Sequence, residues 1–113
     1  MRMRMRAALM GAAFAGLVGL VPGVSQAQEK TIMTSVPSLG FPFFVHMMKS
    51  LQDEGTKLGV KTLESDGQNS APKQTADVEA AVVQGVDGIV ISPLDVNAMA
   101  PAIGTAVQNG VPV

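Results

Sequence analysis

Aromatic and uncharged polar side chains of the kind that bind a neutral sugar occur in three short segments, residues 37–44, 66–70 and 92–95. An aromatic ring can pack on the apolar face of a sugar, while hydroxyl, amide and carboxylate groups hydrogen-bond to the sugar hydroxyls. A phosphorylated ligand would instead favour lysine or arginine, and these segments contain neither residue. The candidate ligand-binding residues are Phe41, Phe43, Phe44, Asp66 and Ser92.

These candidates also have a structural interpretation. Phe43 or Phe44 could be the first core residue of a helix that begins near Phe43. Asp66 could close a turn or cap a helix, and Asp95 fits an N-cap position better than a ligand contact. Both interpretations stay open at this point.

Enzymatic chemistry has little support in the sequence. His46 is the single histidine, and no acidic residue lies close to it in the sequence to orient it as a general base. The chain has no cysteine and no Gly-x-Ser-x-Gly motif, which excludes a thiol nucleophile, a cysteine-containing zinc site and this type of serine nucleophile. We therefore expect a binding protein without catalytic residues, metal or cofactor.

The charge distribution argues against nucleic acid as a partner. All of the arginines, Arg2, Arg4 and Arg6, lie at the start of the chain, and from Gln28 onward five lysines stand against nine acidic residues, a net charge of −4. Phosphate backbones and anionic lipid surfaces both require a basic surface. The body of the chain is not expected to bind either one.

The first 27 residues have the three parts of a secretory signal peptide. A basic start, Met1–Arg6, precedes an apolar run, Ala7–Val21, and small residues ending at Ala27 provide a cleavage site. The apolar run is shorter than the ~20 residues that a membrane-spanning helix requires. We predict cleavage after Ala27, a periplasmic location, and no membrane insertion after cleavage.

Strand-like runs alternate with helical patterns through the rest of the chain. The predicted strands are Lys30–Val36, Val60–Glu64 and Gly88–Ser92, with a fourth beginning at Val111. The predicted helices run from near Phe43 to Gly59, with Leu58 on the apolar face, from near Pro72 to Gln84, and from Asp95 to Asn109. This alternation is typical of βαβ units, so we predict an α/β fold with a parallel Rossmann-like sheet.

Two consequences follow from a parallel sheet. Ligands of such sheets bind beyond the carboxyl ends of the strands, so the three candidate segments should meet at one edge. The third strand is almost continuously apolar, which predicts burial on both of its faces.

Five segments occur here in the order and spacing of a known family: Gly40–Val45, Leu58–Val60, Asp66–Asn69, Gly85–Pro93 and Gly110–Val113. Together they resemble the ribose-binding type of periplasmic sugar-binding protein, the solute receptors of ABC importers. The resemblance implies a monomer of two lobes that closes over one sugar and docks on the permease subunits in the membrane. By position, Phe43 and Phe44 correspond to the aromatic pair of that family, and Ser92 to a polar sugar contact.

Two positions depart from the family pattern, because Phe41 stands where ribose binders have asparagine and Pro37 where they have serine. The resemblance therefore does not identify ribose as the sugar. Residues 28–113 are expected to form the N-terminal part of the first lobe, incomplete by itself. We expect this fragment alone to bind no sugar measurably.

Other functions remain open at this stage. One is a periplasmic sensory or signalling receptor domain that binds a similar ligand for chemotaxis or quorum response. Another is an exported sugar-modifying enzyme, which would need a catalytic acid pair. Sugar-responsive repressors share the fold of the resembled family, but they begin with a helix-turn-helix instead of an export signal.

Overall fold

The computed structural model describes residues 28–113, and the predicted signal peptide, residues 1–27, lies outside the described residues. Strands and helices alternate through the described part as predicted. The elements are β1 (Thr31–Val36), α1 (Pro42–Leu58), β2 (Lys61–Asp66), α2 (Ala71–Gln84), β3 (Gly88–Ile91) and α3 (Val96–Gln108).

The three strands form one parallel sheet in the order β2-β1-β3. Met33 of β1 pairs with Leu63 of β2 on one side and with Ile89 of β3 on the other. The predicted parallel Rossmann-like sheet is therefore confirmed. Beside β3, the Ile89 amide donates to the carbonyl oxygen of Pro112 at 2.9 Å. A fourth strand was predicted to begin at Val111. Among residues 28–113 this region makes one hydrogen bond to β3 and is not itself a strand.

The main core lies between the sheet and a layer formed by α2 and α3. Its buried side chains are Met33, Val78, Ala81, Val86, Ile89, Met99, Ala102, Ala106 and Val111. Successive strand residues point to opposite faces, so Thr34 lies on the other face from Met33. There its hydroxyl donates to the sulfur of Met48 at 3.0 Å. The helix α1 thus covers the face opposite to α2 and α3.

The close packing of α1 on β2 depends on Gly55. A Cβ atom at this position would lie 2.8 Å from Cγ2 of Thr62, which is closer than non-bonded carbon atoms tolerate. Leu58, by contrast, is 68% exposed. Leu58 is therefore not buried as predicted: it lines an apolar cavity with Val60 and Val90 that residues 28–113 leave uncovered.

The prediction that β3 is buried on both faces is also wrong for the described residues. Val90 is 45% exposed. It is in register with Thr34 and so lies on the face of α1, but α1 packs against β1 and β2 and does not extend over β3. The apolar side chains of β3 are therefore not all buried by residues 28–113.

Glycines end the first two helices as predicted. Gly59 and Gly85 have φ values of 68° and 79°, a left-handed conformation that costs glycine little and other residues more. The predicted C-terminus of α3 is likewise found at Asn109 and Gly110, so this Asn-Gly pair does not form a hairpin turn. Among residues 28–113, no helix has the length and apolar character needed to cross a membrane.

Candidate functional site

Three loops follow the carboxyl ends of the strands: loop 1 (residues 37–41), loop 2 (residues 67–70) and loop 3 (residues 92–95). Because the strands are parallel and adjacent, all three loops lie at the same edge of the sheet. Loops 1 and 2 are joined by a backbone hydrogen bond from the Asn69 amide to the carbonyl oxygen of Pro37 at 2.8 Å. Loop 3 is bonded to the end of β1, where the Ser92 amide donates to the carbonyl oxygen of Ser35. The structure thus brings the three predicted segments to one edge.

Loops 1 and 2 pack backbone against backbone at Gly67. Its amide donates to the carbonyl oxygen of Val36 at 2.9 Å, and a Cβ atom there would lie 2.7 Å from the carbonyl oxygen of Pro37. The next two residues, Gln68 and Asn69, have positive φ values of 51° and 56°, which are uncommon outside glycine. Loop 2 therefore has a defined shape that depends on its contact with loop 1.

The three candidate phenylalanines form one cluster at the start of α1. The Phe44 ring stands edge-on to Phe43, with centroids 5.1 Å apart, and to Phe41, with centroids 6.4 Å apart. Phe43 is 67% exposed and Phe41 52% exposed, while Phe44 is partly buried. Phe43 is therefore not a core residue, and its ring is accessible to a ligand at this edge.

The N-terminus of α1 has no side-chain cap. Phe41 occupies the N-cap position in an extended conformation, and Pro42 follows at the first turn. The other two helices are capped, since the Ser70 hydroxyl accepts from the Lys73 amide and the Asp95 carboxylate accepts from amides at the start of α3. The interpretation of Asp95 as a helix cap is confirmed.

Asp66 fastens loop 1 to loop 2. It is the last residue of β2, which extends beyond its predicted end at Glu64. Its Oδ1 accepts hydrogen bonds from the amides of Gln68, at 2.9 Å, and of Leu39, at 3.1 Å. These two bonds hold the pKa of Asp66 below its ordinary value of 3.8, with a further contribution from the positive charge of Lys73, while desolvation acts in the opposite direction. A direct sugar contact by Asp66 remains a prediction.

The carboxyl end of β2 is also attached to α2. The Lys73 ammonium group donates to the carbonyl oxygen of Asp66 and to the carboxylate of Asp77, both at 2.7 Å. The same carboxylate oxygen accepts from the Ser65 hydroxyl at 2.7 Å. The hydrogen bonds of Lys73 thus attach the start of loop 2 to α2.

Ser92 opens loop 3, and both of its backbone polar groups are bonded. Its amide donates to the carbonyl oxygen of Ser35 at 2.9 Å, and its carbonyl oxygen accepts from the side chain of Gln74 at 2.9 Å. The Ser92 hydroxyl has no hydrogen-bond partner among residues 28–113. This arrangement fixes the backbone of Ser92 without using its hydroxyl.

Gln74 is a structural residue of the site that the sequence interpretation missed. It is 0% exposed, and its side-chain amide bonds to residues of β1 and loop 3. One signal was present in the sequence, because Gln74 stands four residues before Val78 and seven before Ala81, on what becomes the buried face of α2. A polar residue within such a stripe indicates a buried hydrogen-bonding role.

An open groove of about 460 Å³ lies beside the phenylalanine cluster; its lining residues are Leu39, Gly40, Pro42, Val45, His46 and Lys49. None of the five candidate residues lines this groove. Within residues 28–113, no three histidine, aspartate or glutamate side chains are grouped so that they could hold a metal ion. The candidate residues thus lie at the carboxyl edge of the sheet, outside this groove.

Residues 32–113 match the family described as the periplasmic binding protein domain. The chain belongs to this family. The match begins within β1 and includes all three loops of the site, so the predicted resemblance is confirmed for the fold and for the family. The candidate site of this periplasmic binding protein domain lies where parallel α/β sheets bind their ligands.

Two relatives carry the names ribose and myo-inositol. The ribose import binding protein RbsB of Bacillus subtilis is 44% identical over 86 residues, covering 76% of this chain and 28% of that protein. The crystal structure of a Caulobacter myo-inositol binding protein bound to myo-inositol is 41% identical, with a TM-score of 0.71, over 82% of this chain and 30% of the other.

A third relative is a solute binding protein of an ABC transporter from Bacillus halodurans with bound myo-inositol. It is 26% identical with a TM-score of 0.68, over 74% of this chain and 29% of the other. This periplasmic binding protein domain spans less than a third of the length of each of the three relatives.

Proposed function

We propose that this domain forms part of the first lobe of a two-lobed periplasmic receptor, which captures a sugar or a similar monosaccharide-like polyol and delivers it to an ABC-type permease. The observation that carries the proposal is the exposed cluster of Phe41, Phe43 and Phe44 at the edge where the three loops meet. Exposed aromatic rings are costly in water, and a sugar ring would cover them while its hydroxyls reach polar groups of the loops.

The proposed ligand is neutral. Loops 1, 2 and 3 contain no lysine or arginine, and the nearby Lys73 is occupied by Asp66 and Asp77. A phosphorylated sugar would therefore find no free cation on these loops. Ribose and myo-inositol, which appear in the names of two relatives, are both uncharged rings with several hydroxyl groups. They are therefore the first ligands to test.

The proposed mechanism is binding coupled to closure, without catalysis. A ligand seated on an open surface of one lobe stays accessible to water on its other side. A second lobe that closes over it would add contacts, and a ligand that bridges both lobes favours the closed state. The closed, monomeric receptor would then dock on the permease. Export directed by residues 1–27, with cleavage of this segment after Ala27, belongs to the same proposal.

The decisive experiment removes one exposed ring from the two-lobed protein that carries this segment. Phe43→Ala should weaken the binding of D-ribose or myo-inositol, whichever binds more tightly, by about tenfold or more in titration calorimetry. The thermal unfolding midpoint should change little, because the Phe43 ring is 67% exposed.

Leu58→Ala is the matched control, since Leu58 lies at the other end of α1 and is 68% exposed. This variant should bind with unchanged affinity. A folded Phe43→Ala protein with unaltered affinity would remove Phe43 from the ligand site. If neither probe binds to the unmodified protein, the proposed ligand class is wrong.

A further inference from the structure

We infer that Gln74 is a positioning residue of the ligand site: it holds loop 3 against β1 and so determines where the Ser92 hydroxyl lies. This inference rests on the proposed function, in which Ser92 contacts the ligand. Gln74 itself lies beneath the loops on α2 and is 0% exposed, so it acts through the residues that it holds.

Three hydrogen bonds join the Gln74 side chain to its surroundings. Its Nε2 donates to the Ser35 hydroxyl at 3.1 Å and to the Ser92 carbonyl oxygen at 2.9 Å. Its Oε1 accepts from the Leu94 amide at 2.8 Å. One side chain therefore connects α2, the end of β1 and two positions of loop 3.

Loop 3 has few other connections that could replace these bonds. The Ser92 amide is tied to the Ser35 carbonyl oxygen, and the Asp95 carboxylate is used for the N-cap of α3. Between these two points, the bonds of Gln74 are what hold the Ser92 carbonyl and the Leu94 amide. A buried polar group that loses its partner is destabilised, so loop 3 would move to find water if Gln74 were removed.

The chemistry of an amide is required at this position, because the side chain must donate and accept at once. A carboxylate could still accept from the Leu94 amide and from the Ser35 hydroxyl, but it would repel the Ser92 carbonyl oxygen. A methionine side chain of similar length would do neither. The two substitutions Gln74→Glu and Gln74→Met therefore test different parts of the same arrangement.

Charged groups near Gln74 already have partners of their own. Lys73 and Asp77 of α2 pair with each other, Asp66 accepts from loop amides, and Asp95 caps α3. The hydrogen-bond partners of Gln74 are uncharged groups. A carboxyl group introduced by Gln74→Glu would thus be buried without a cation partner, which raises its pKa.

The first measurement needs no ligand. Amide hydrogen exchange in the two-lobed protein should be about tenfold faster at Leu94 in Gln74→Met than in the unmodified protein, because this amide loses its acceptor. Gln84→Met is the matched control, since Gln84 is an exposed glutamine at the end of the same helix, and it should leave exchange at Leu94 unchanged.

The second measurement is the affinity of Gln74→Glu for D-ribose and myo-inositol at two pH values. At about pH 8 the introduced carboxylate should weaken binding about tenfold relative to the unmodified protein. At about pH 5 the buried carboxyl group should be protonated and donate to the Ser92 carbonyl oxygen, so most of the loss should be recovered. Gln84→Glu should follow the unmodified protein at both pH values.

The possible outcomes separate the inference from the function on which it rests. Unchanged exchange at Leu94 in a folded Gln74→Met protein would overturn the positioning role, whatever the ligand. Two results for Gln74→Glu would also overturn the positioning role. One is an affinity at about pH 8 equal to that of the unmodified protein, and the other is a loss of affinity at about pH 5 as large as the loss at about pH 8. If the unmodified protein binds neither probe, the proposed function fails, and the exchange measurement still decides the role of Gln74.

Discussion

At the amino end of the sheet the connections are short and closed by glycine, whereas at the carboxyl end they are longer loops that side chains tie together. Gly59 and Gly85 complete α1 and α2 and lead almost directly into the next strands. Loops 1, 2 and 3 are held instead by Asp66 and Gln74, and they carry the exposed phenylalanine cluster.

The two ends of α1 show what this difference means for function. Phe43 and Leu58 are exposed to almost the same extent, 67% and 68%. Phe43, however, belongs to a cluster of rings beside polar loops of defined shape, and Leu58 lies beside a tight turn. Exposed apolar surface alone does not indicate a ligand site. It does so where it is combined with fixed polar groups that can orient a ligand.

The largest expected effect on stability comes from adding a side-chain atom where loops 1 and 2 meet at the carboxyl end of the sheet. Gly67→Ala should lower the free energy of unfolding by about 3 kcal/mol, because the added Cβ would lie 2.7 Å from the Pro37 carbonyl oxygen and force loops 1 and 2 apart. Gly59→Ala at the amino end meets no atom within 4 Å and should cost only about 1 kcal/mol, for its left-handed conformation. Denaturant unfolding measures both changes. Equal costs would mean that the two ends are packed alike.

A smaller effect is expected from the charge of Asp66. Asp66→Asn should lower stability by roughly 1 kcal/mol at neutral pH, because a neutral amide oxygen accepts the two loop hydrogen bonds less strongly. The folded pKa of Asp66 lies below 3.8, so this stabilisation is present above that pH and is lost as the pH falls through the lowered pKa. The stability difference between the two proteins should therefore disappear in acid.

Asp87→Asn is the corresponding variant at the amino end. The Thr31 amide and then Lys30 hold the pKa of Asp87 below its ordinary value, so its contribution to stability should also fade in acid. Ligand affinity should fall in Asp66→Asn, where loop 1 loosens, and stay unchanged in Asp87→Asn. Equal affinities in the two variants would contradict the distinction between the two ends.

The smallest expected change tests the uncapped start of α1. Phe41→Asn should raise the free energy of unfolding by roughly 0.5 kcal/mol, because an asparagine side chain at the N-cap can accept from the first free amides. The same substitution restores the asparagine of the resembled ribose binders, so the affinity for D-ribose should rise relative to myo-inositol. Phe41→Ser supplies a cap without the amide, so it should give the stability gain without the rise in the affinity for D-ribose relative to myo-inositol. Thermal unfolding and calorimetry separate the two effects.

Sequence patterns were sufficient for the order and type of all six described elements. Apolar spacing marked the helices, and Gly59 and Gly85 marked two of their ends, because these signals act within a few residues. The end of β2 was placed too early, since Ser65 and Asp66 are polar and resemble loop residues. Their strand conformation comes from pairing with β1, which the local pattern does not contain.

Packing against other elements accounts for the remaining differences. Val90 looked like a core residue because β3 is apolar throughout, but its exposure depends on how far α1 extends across the sheet. Phe43 could have been a core residue or an exposed one, and the position of α1 on the sheet decided between them. Ligand contacts by the phenylalanines, Asp66 and Ser92 stay predictions for the experiments above.

The sequence by itself determined the alternating strands and helices, and with them the edge at which loops 1, 2 and 3 meet, because these features follow from short-range periodicity and from the geometry of parallel sheets. Only the tertiary structure decided which side chains hold that edge together. Gln74 reaches partners that are 39 and 18 residues away, at Ser35 and Ser92. Hydrogen bonds over such separations depend on the folded arrangement of three elements, and no local pattern specifies them.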